Sequence, residues 1–142
     1  MPTTAPHIKE ETLNAEPNTI ILRLDSYPET FILTHANMTV AGQVEMHAAK
    51  PDGSYSMLFE FDDSIKEGDV HHRQVKKIRF MAKQFNGNHD VYSLVESDDF
   101  RINIKSIDKD KKSCHLDFQV HLRRGVEDPT LWATGKVNIQ GE

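Results

Sequence analysis

From Thr19 onward the chain is written in twos: apolar side chains recur at alternate positions, the repeat of a strand with one face against a core. Ile20, Leu22 and Leu24 alternate with Ile21, Arg23 and Asp25, and the nearly unbroken apolar run predicts a strand covered on both faces before Tyr27-Pro28 ends it. Phe31–Thr34 predicts a short strand. Val40, Gly42, Val44 and Met46, interleaved with Ala41, Gln43, Glu45 and His47, predict a half-buried one. Pro51-Asp52-Gly53-Ser54 is turn chemistry, and it leads into Tyr55, Met57, Phe59 and Phe61 on a single face.

Asp62 to Gln74 is the longest polar interval and reads as an exposed loop with at most one helical turn. Ile78, Phe80 and Ala82 form the next alternating set, closed by Asn86-Gly87-Asn88, and Val91–Val95 follows. The last third is the clearest. Phe100, Ile102 and Ile104 alternate with Arg101, Asn103 and Lys105; Asp108–Lys112 turns the chain; and Cys114, Leu116, Phe118, Val120 and Leu122 line one side of the returning strand. After a loop at 124–129, Ala133, Gly135, Val137 and Ile139 mark a final strand.

Short strands at spacings of about 8–12 residues, without a helical period, predict an all-β fold. The reading is a single antiparallel β-sandwich of about eight or nine strands over residues 19–142, with a closed up-and-down β-barrel as the alternative. Residues 1–18, with three prolines and little besides Ile8 and Leu13 to bury, read as a flexible N-terminal arm.

The last hairpins fix a register, because a slip of one residue turns the apolar face outward. Placing Ile104 opposite Leu116 and Ile102 opposite Phe118 sets Lys105 against His115, Asn103 against Asp117 and Arg101 against Gln119 on the outside. Placing Phe118 opposite Val137 adds Lys136 to the Arg101–Gln119 row and Asn138 to the Asn103–Asp117 row. Arg101, Asn103, Asp117, Gln119, Lys136 and Asn138 then form a polar lattice, and its paired donors and acceptors suit a sugar or another polar ligand. Solvated sheet faces share this composition, and no ring interrupts it for stacking. Trp132, at the end of the Arg123–Leu131 loop, is either the cap of a core edge or a partner anchor.

Charge and composition narrow the functions. Seventeen basic against 22 acidic side chains give a formal charge of −5 with no basic cluster, which excludes a phosphate-backbone footprint and so a nucleic-acid partner. No apolar run approaches a membrane span, no leader pattern opens the chain, and a single cysteine fits a reducing compartment; the expectation is a cytoplasmic protein, export without a cleaved signal remaining open. No nucleotide, phosphate-loop or hydrolase motif occurs, and no cofactor is expected. Cys114 and His115 are neighbours on a strand and point to opposite faces, so they do not form a nucleophile and base. His71-His72, near Glu67 and Asp69, is a weak metal candidate without ligand spacing.

The function expected is a small non-catalytic interaction module for a protein or small polar ligand, with loops 62–74 and 124–132 as the contact surface and exposed edge strands as a route to a homodimer. Alternatives are a barrel holding an apolar molecule among Tyr55, Met57, Phe59 and Phe80, and carbohydrate binding on the lattice. Eight histidines raise the charge from −5 to +3 when all are protonated, but most fall at outward or loop positions.

Overall fold

In a computed structural model, which describes residues 17–25, 27–84, 86–97 and 99–141, the alternating segments become ten antiparallel strands of one sheet. They are β1 (Thr19–Leu24), β2 (Thr30–Val40), β3 (Gln43–Ala49), β4 (Tyr55–Asp62), β5 (Gly68–Asp69), β6 (Val75–Lys83), β7 (His89–Val95), β8 (Arg101–Asp108), β9 (Ser113–Arg123) and β10 (Leu131–Ile139). A 3-10 turn spans His72–Gln74, and there is no α-helix among the described residues.

The sheet closes on itself. β10 pairs with β1 on one side and with β9 on the other, so β10, β1, β2, β3, β4, β6, β7 and β9 form an eight-stranded ring. A sandwich would leave these strands as edges of two separate sheets; the closed barrel, the alternative in the sequence reading, replaces it. Closure also removes most of the free edges on which edge-to-edge dimerisation would depend.

The interior is filled by the alternating positions. Phe31, Phe59, Phe61 and Phe80 are fully buried, with Ile20, Leu22, Leu33, Met46 and Met57 around them. Phe59 meets Phe118 edge-on at 5.1 Å and Phe31 meets Phe80 at 5.4 Å, so ring fits ring across the lumen. Each such side chain taken out of water contributes about 1.5–3 kcal/mol. Met57, Phe59 and Phe80, with Tyr55 half-buried beside them, belong to this packing rather than to a lined cavity.

Several expectations are revised. β2 runs unbroken from Thr30 to Val40, and Ala41-Gly42 is the turn, with Gly42 at φ 77°, in place of a strand through Val40–Gly42. A break of register between Thr34 and Asn37, where His35 has φ 54°, lets β2 bend along the barrel. Asp62–Gln74 is not simply a loop. β8 continues the line of β7 along the same edge of β9, which leaves the first half of β6 without that neighbour; the segment fills the opening, burying Ile65 and Val70 and pairing β5 with β8.

Residues 1–16 of the expected arm lie outside the described residues. Asn18 is firmly held: its carbonyl accepts the Ala36 N–H at 2.9 Å and its side-chain Oδ1 accepts the Gln140 N–H at 2.9 Å. As the apolar run of β1 predicts, Ile21 on its outward side is buried along with Ile20 and Leu22 on its inward side.

The strands alternate in direction, so loops 25–29, 50–54, 84–88 and 124–130 share one end of the barrel. The β2–β3 turn, the 63–74 segment, the β8–β9 turn at 109–112 and the chain around Asn18 and Gly141 share the other.

Candidate functional site

The outer face of β8, β9 and β10 carries the polar lattice, in a register that differs in two places from the sequence-based one. Arg101 faces Gln119, Asn103 faces Asp117, Ile102 faces Phe118 and Ile104 faces Leu116, as expected. Beyond Ile104 a bulge intervenes, and Ser106, not Lys105, stands opposite His115. On the other flank β10 is shifted by two residues: Gly135 faces Phe118, Lys136 faces Asp117, Asn138 faces His115 and Thr134 faces Gln119.

A two-residue shift keeps every side chain on its face and therefore leaves the alternation unchanged. Gly135 seats β10 on its other neighbour, β1. A Cβ there would stand 1.9 Å from the Ile21 carbonyl oxygen, so only glycine lets β10 lie against β1, and this glycine is paired across β9 with the bulky Phe118.

The shift changes what meets what. Asp117 now lies between two ammonium groups, Lys105 Nζ at 3.7 Å and Lys136 Nζ at 3.5 Å. His115 and Asn138 complete a shallow basin of about 240 Å³ around them. Asn103 is committed elsewhere, donating through Nδ2 to Asp69 Oδ1 at 2.9 Å and tying β5 to β8. Gln119 donates to the Asp99 carbonyl at 3.1 Å. Arg101 is exposed at the margin. Of the six lattice residues, the structure gathers Asp117, Lys136 and Asn138 into one concavity and leaves Arg101, Asn103 and Gln119 outside it, while Lys105 and His115 join.

Trp132 does not cap a core edge. It is half-buried on the outer wall, opposite His121 in the strand register, with ring centroids 3.9 Å apart, and its carbonyl accepts the Asp25 N–H at 3.1 Å. The loop leading to it is braced by Arg124, which reaches Asp128 at 3.3 Å and Asp90 at 3.8 Å. Val126 is 85% exposed on that loop.

Two further clefts, which the sequence reading missed, meet at Asn18. One, of about 570 Å³, lies between Asn18, Asn37 and Met38 on one side and Asp110, Lys111, Lys112 and Gly141 on the other. Its neighbour, of about 650 Å³, runs along Thr34, His35 and Ala36 towards Pro51. The three non-glycine residues with positive φ among the described residues, Asn18 (58°), His35 (54°) and Lys112 (57°), all border this pair. For His and Lys that conformation costs about 1 kcal/mol each. The Asx-type composition at Asn18 was the sole hint in the sequence; a lysine or histidine does not announce a left-handed backbone.

His71 is exposed and His72 half-buried, its ring 5.0 Å from Phe100 and its Nε2 without a hydrogen-bond partner. Among the described residues no group of three or more His, Cys, Asp and Glu side chains is arranged to hold a metal ion. Cys114 is buried on the inward face, and burial pushes its thiol up to about 12, which keeps it protonated and unreactive. Burial, then the hydroxyl of Tyr27 at 3.4 Å, likewise raises Tyr92 to about 12. Asp52 and Asp62 are held below the usual carboxylate value by the hydroxyls and N–H groups of Ser54 and Ser64, which makes them turn-forming groups.

No known protein family, curated protein or solved structure matches the chain.

Proposed function

We propose that the protein is a non-catalytic binding module whose β8–β9–β10 face recognises a small polar ligand carrying both a carboxylate and hydroxyl groups, such as a sugar acid. The observation that carries this reading is Asp117 held between Lys105 and Lys136 in the basin. Two ammonium groups attract a carboxylate, while the half-exposed Asp117 carboxylate offers acceptors to hydroxyls on a rigid sheet.

No helix among the described residues is long and apolar enough to cross a membrane. The wall at β9 turns Asp117, Gln119, His121 and Arg123 outward, the reverse of a lipid-facing barrel surface, which favours a module working in water. The test is an amide-shift titration of the whole chain with glucuronate and, separately, glucose. Saturable shifts at His115, Asp117, Lys136 and Asn138 with glucuronate, lost in Lys136→Gln, support the reading; no shift at millimolar glucuronate rejects it.

A second reading, a protein partner at loop 124–130, is favoured by Val126, an aliphatic side chain projecting from a braced loop. A partner co-purified from the native source and lost on Val126→Asp supports it, and one retained by that variant removes the loop from contention.

A further inference from the structure

The 570 Å³ cleft at the β8–β9 end is built from four separate stretches of chain, and its walls are fixed before anything binds. Asn18 bonds to the backbone of both Ala36 and Gln140. Gly141, at φ 56°, lies so close to the β8–β9 turn that a Cβ on it would stand 2.0 Å from the Lys111 carbonyl oxygen. Asn37 donates through Nδ2 to the His35 carbonyl at 3.2 Å, which fixes its side chain at the bulge. Asn18, Lys112 and Gly141 on these walls are all in the left-handed region, which costs about 1 kcal/mol for the lysine.

The polar groups on these walls are not used up. Lys111 and Lys112 are exposed at the cleft and form no ion pair among the described residues, and their neighbour Asp110 reduces their joint charge to one net positive. The Asn18 amide spends its oxygen on Gln140 and keeps its N–H donors.

We infer that this cleft is a binding site for a small oxyanion, a phosphate or the phosphate group of a small molecule, with Lys111 and Lys112 as its cationic contacts and the Asn18 amide as a donor. Lysine serves here as a point charge that needs no planar acceptor, and the pre-set backbone spares the ligand the cost of ordering four segments. The site is separate from the Asp117 basin, on other residues, so either assignment can fail alone.

The test uses inorganic pyrophosphate on the whole chain, followed by amide and side-chain shifts, against sodium chloride of matched ionic strength. Expected are saturable shifts at Lys111, Lys112, Gly141 and the Asn18 side-chain amide that the chloride control lacks. The exposed pair Lys111→Gln with Lys112→Gln should weaken binding at least about tenfold, the equivalent of about 1.4 kcal/mol. Lys66→Gln with Lys83→Gln, exposed lysines elsewhere, should leave it unchanged. Shifts equal to those in chloride, shifts centred on His115 and Lys136, or equal losses in the two double variants would each overturn the assignment.

Discussion

The two ends of the barrel are made differently. At the end holding loops 25–29, 50–54, 84–88 and 124–130, aromatic rings close the lumen: Phe31 lies 4.7 Å from Tyr55, Tyr55 stacks on Phe80 at 5.8 Å, and Phe80 reaches Tyr92 at 6.1 Å. Several polar groups there are partnered, Tyr27 with Tyr92, Arg124 with Asp90 and Asp128, and Lys50 over the Tyr55 ring. At the other end the chain accepts left-handed residues and two clefts. One end minimises free energy by packing; the other carries local strain that packing elsewhere can support, which is the usual division between scaffold and site.

That contrast is broken most decisively at Phe80. Truncating this fully buried ring opens a cavity under Phe31, Tyr55 and Tyr92, and Phe80→Ala should lose about 3–5 kcal/mol of unfolding free energy by urea titration. The Lys111→Gln, Lys112→Gln pair should stay within about 0.5 kcal/mol of the parent. Comparable losses at the two ends would end the distinction.

Alkali should act on the packed side. Tyr92 ionises near 12 in the folded chain against 10.0 unfolded, and Cys114 near 12 against 9.0, so the folded state holds protons that the unfolded state has released. Their contribution is complete below about pH 9 and is lost as the pH rises towards 12. Urea midpoints should therefore be flat up to about pH 9 and then fall, and Tyr92→Phe should reduce the fall above pH 10. The smallest effect belongs to the strained end. His35→Gly relieves an exposed left-handed residue and should raise stability by up to about 1 kcal/mol, less the entropy glycine adds to the unfolded chain. A loss there would mean that the His35 side chain holds the bulge.

Local pattern and closure differ in how far the residues disclose them. The inward faces of β4, β8 and β9 could be written from Tyr55, Ile102 and Leu116 alone, because burial imposes a period of two. The β8–β9 pairing at Arg101–Ile104 followed from the same rule. The two-residue shift of β10 did not, since it moves no apolar residue to the other face, and the bulge at Lys105, which turns Ile107 inward opposite Cys114, was marked only by the odd spacing of Ile104 and Ile107. The contact that seats β10 on β1, Gly135 against the Ile21 carbonyl, joins segments more than a hundred residues apart. Barrel closure rests on that same distant pairing. The polar stretch 62–74 hid its role because Ile65 and Val70 are two isolated apolar residues in a charged run, and their burial depends on the gap that β8 leaves beside β6. Of the lattice, Asp117, Lys136 and Asn138 were identifiable as neighbours on one face; the Asn18–Lys112 cleft is made by backbone angles and had no period to reveal it.

The pairing of β1 with β10, Thr19 opposite Asn138, also sets an order of events during synthesis. A ribosome releases β1 well before its second neighbour, so β1 waits with one edge unpaired while more than a hundred residues are made between them. The same closeness, with the Gln140 N–H on Asn18, makes the molecule a natural subject for circular permutation: joining residues 18 and 140 by a short linker and reopening the chain in the 124–130 loop would place β10 beside β1 in sequence and turn a closure that comes last into a hairpin that can form first.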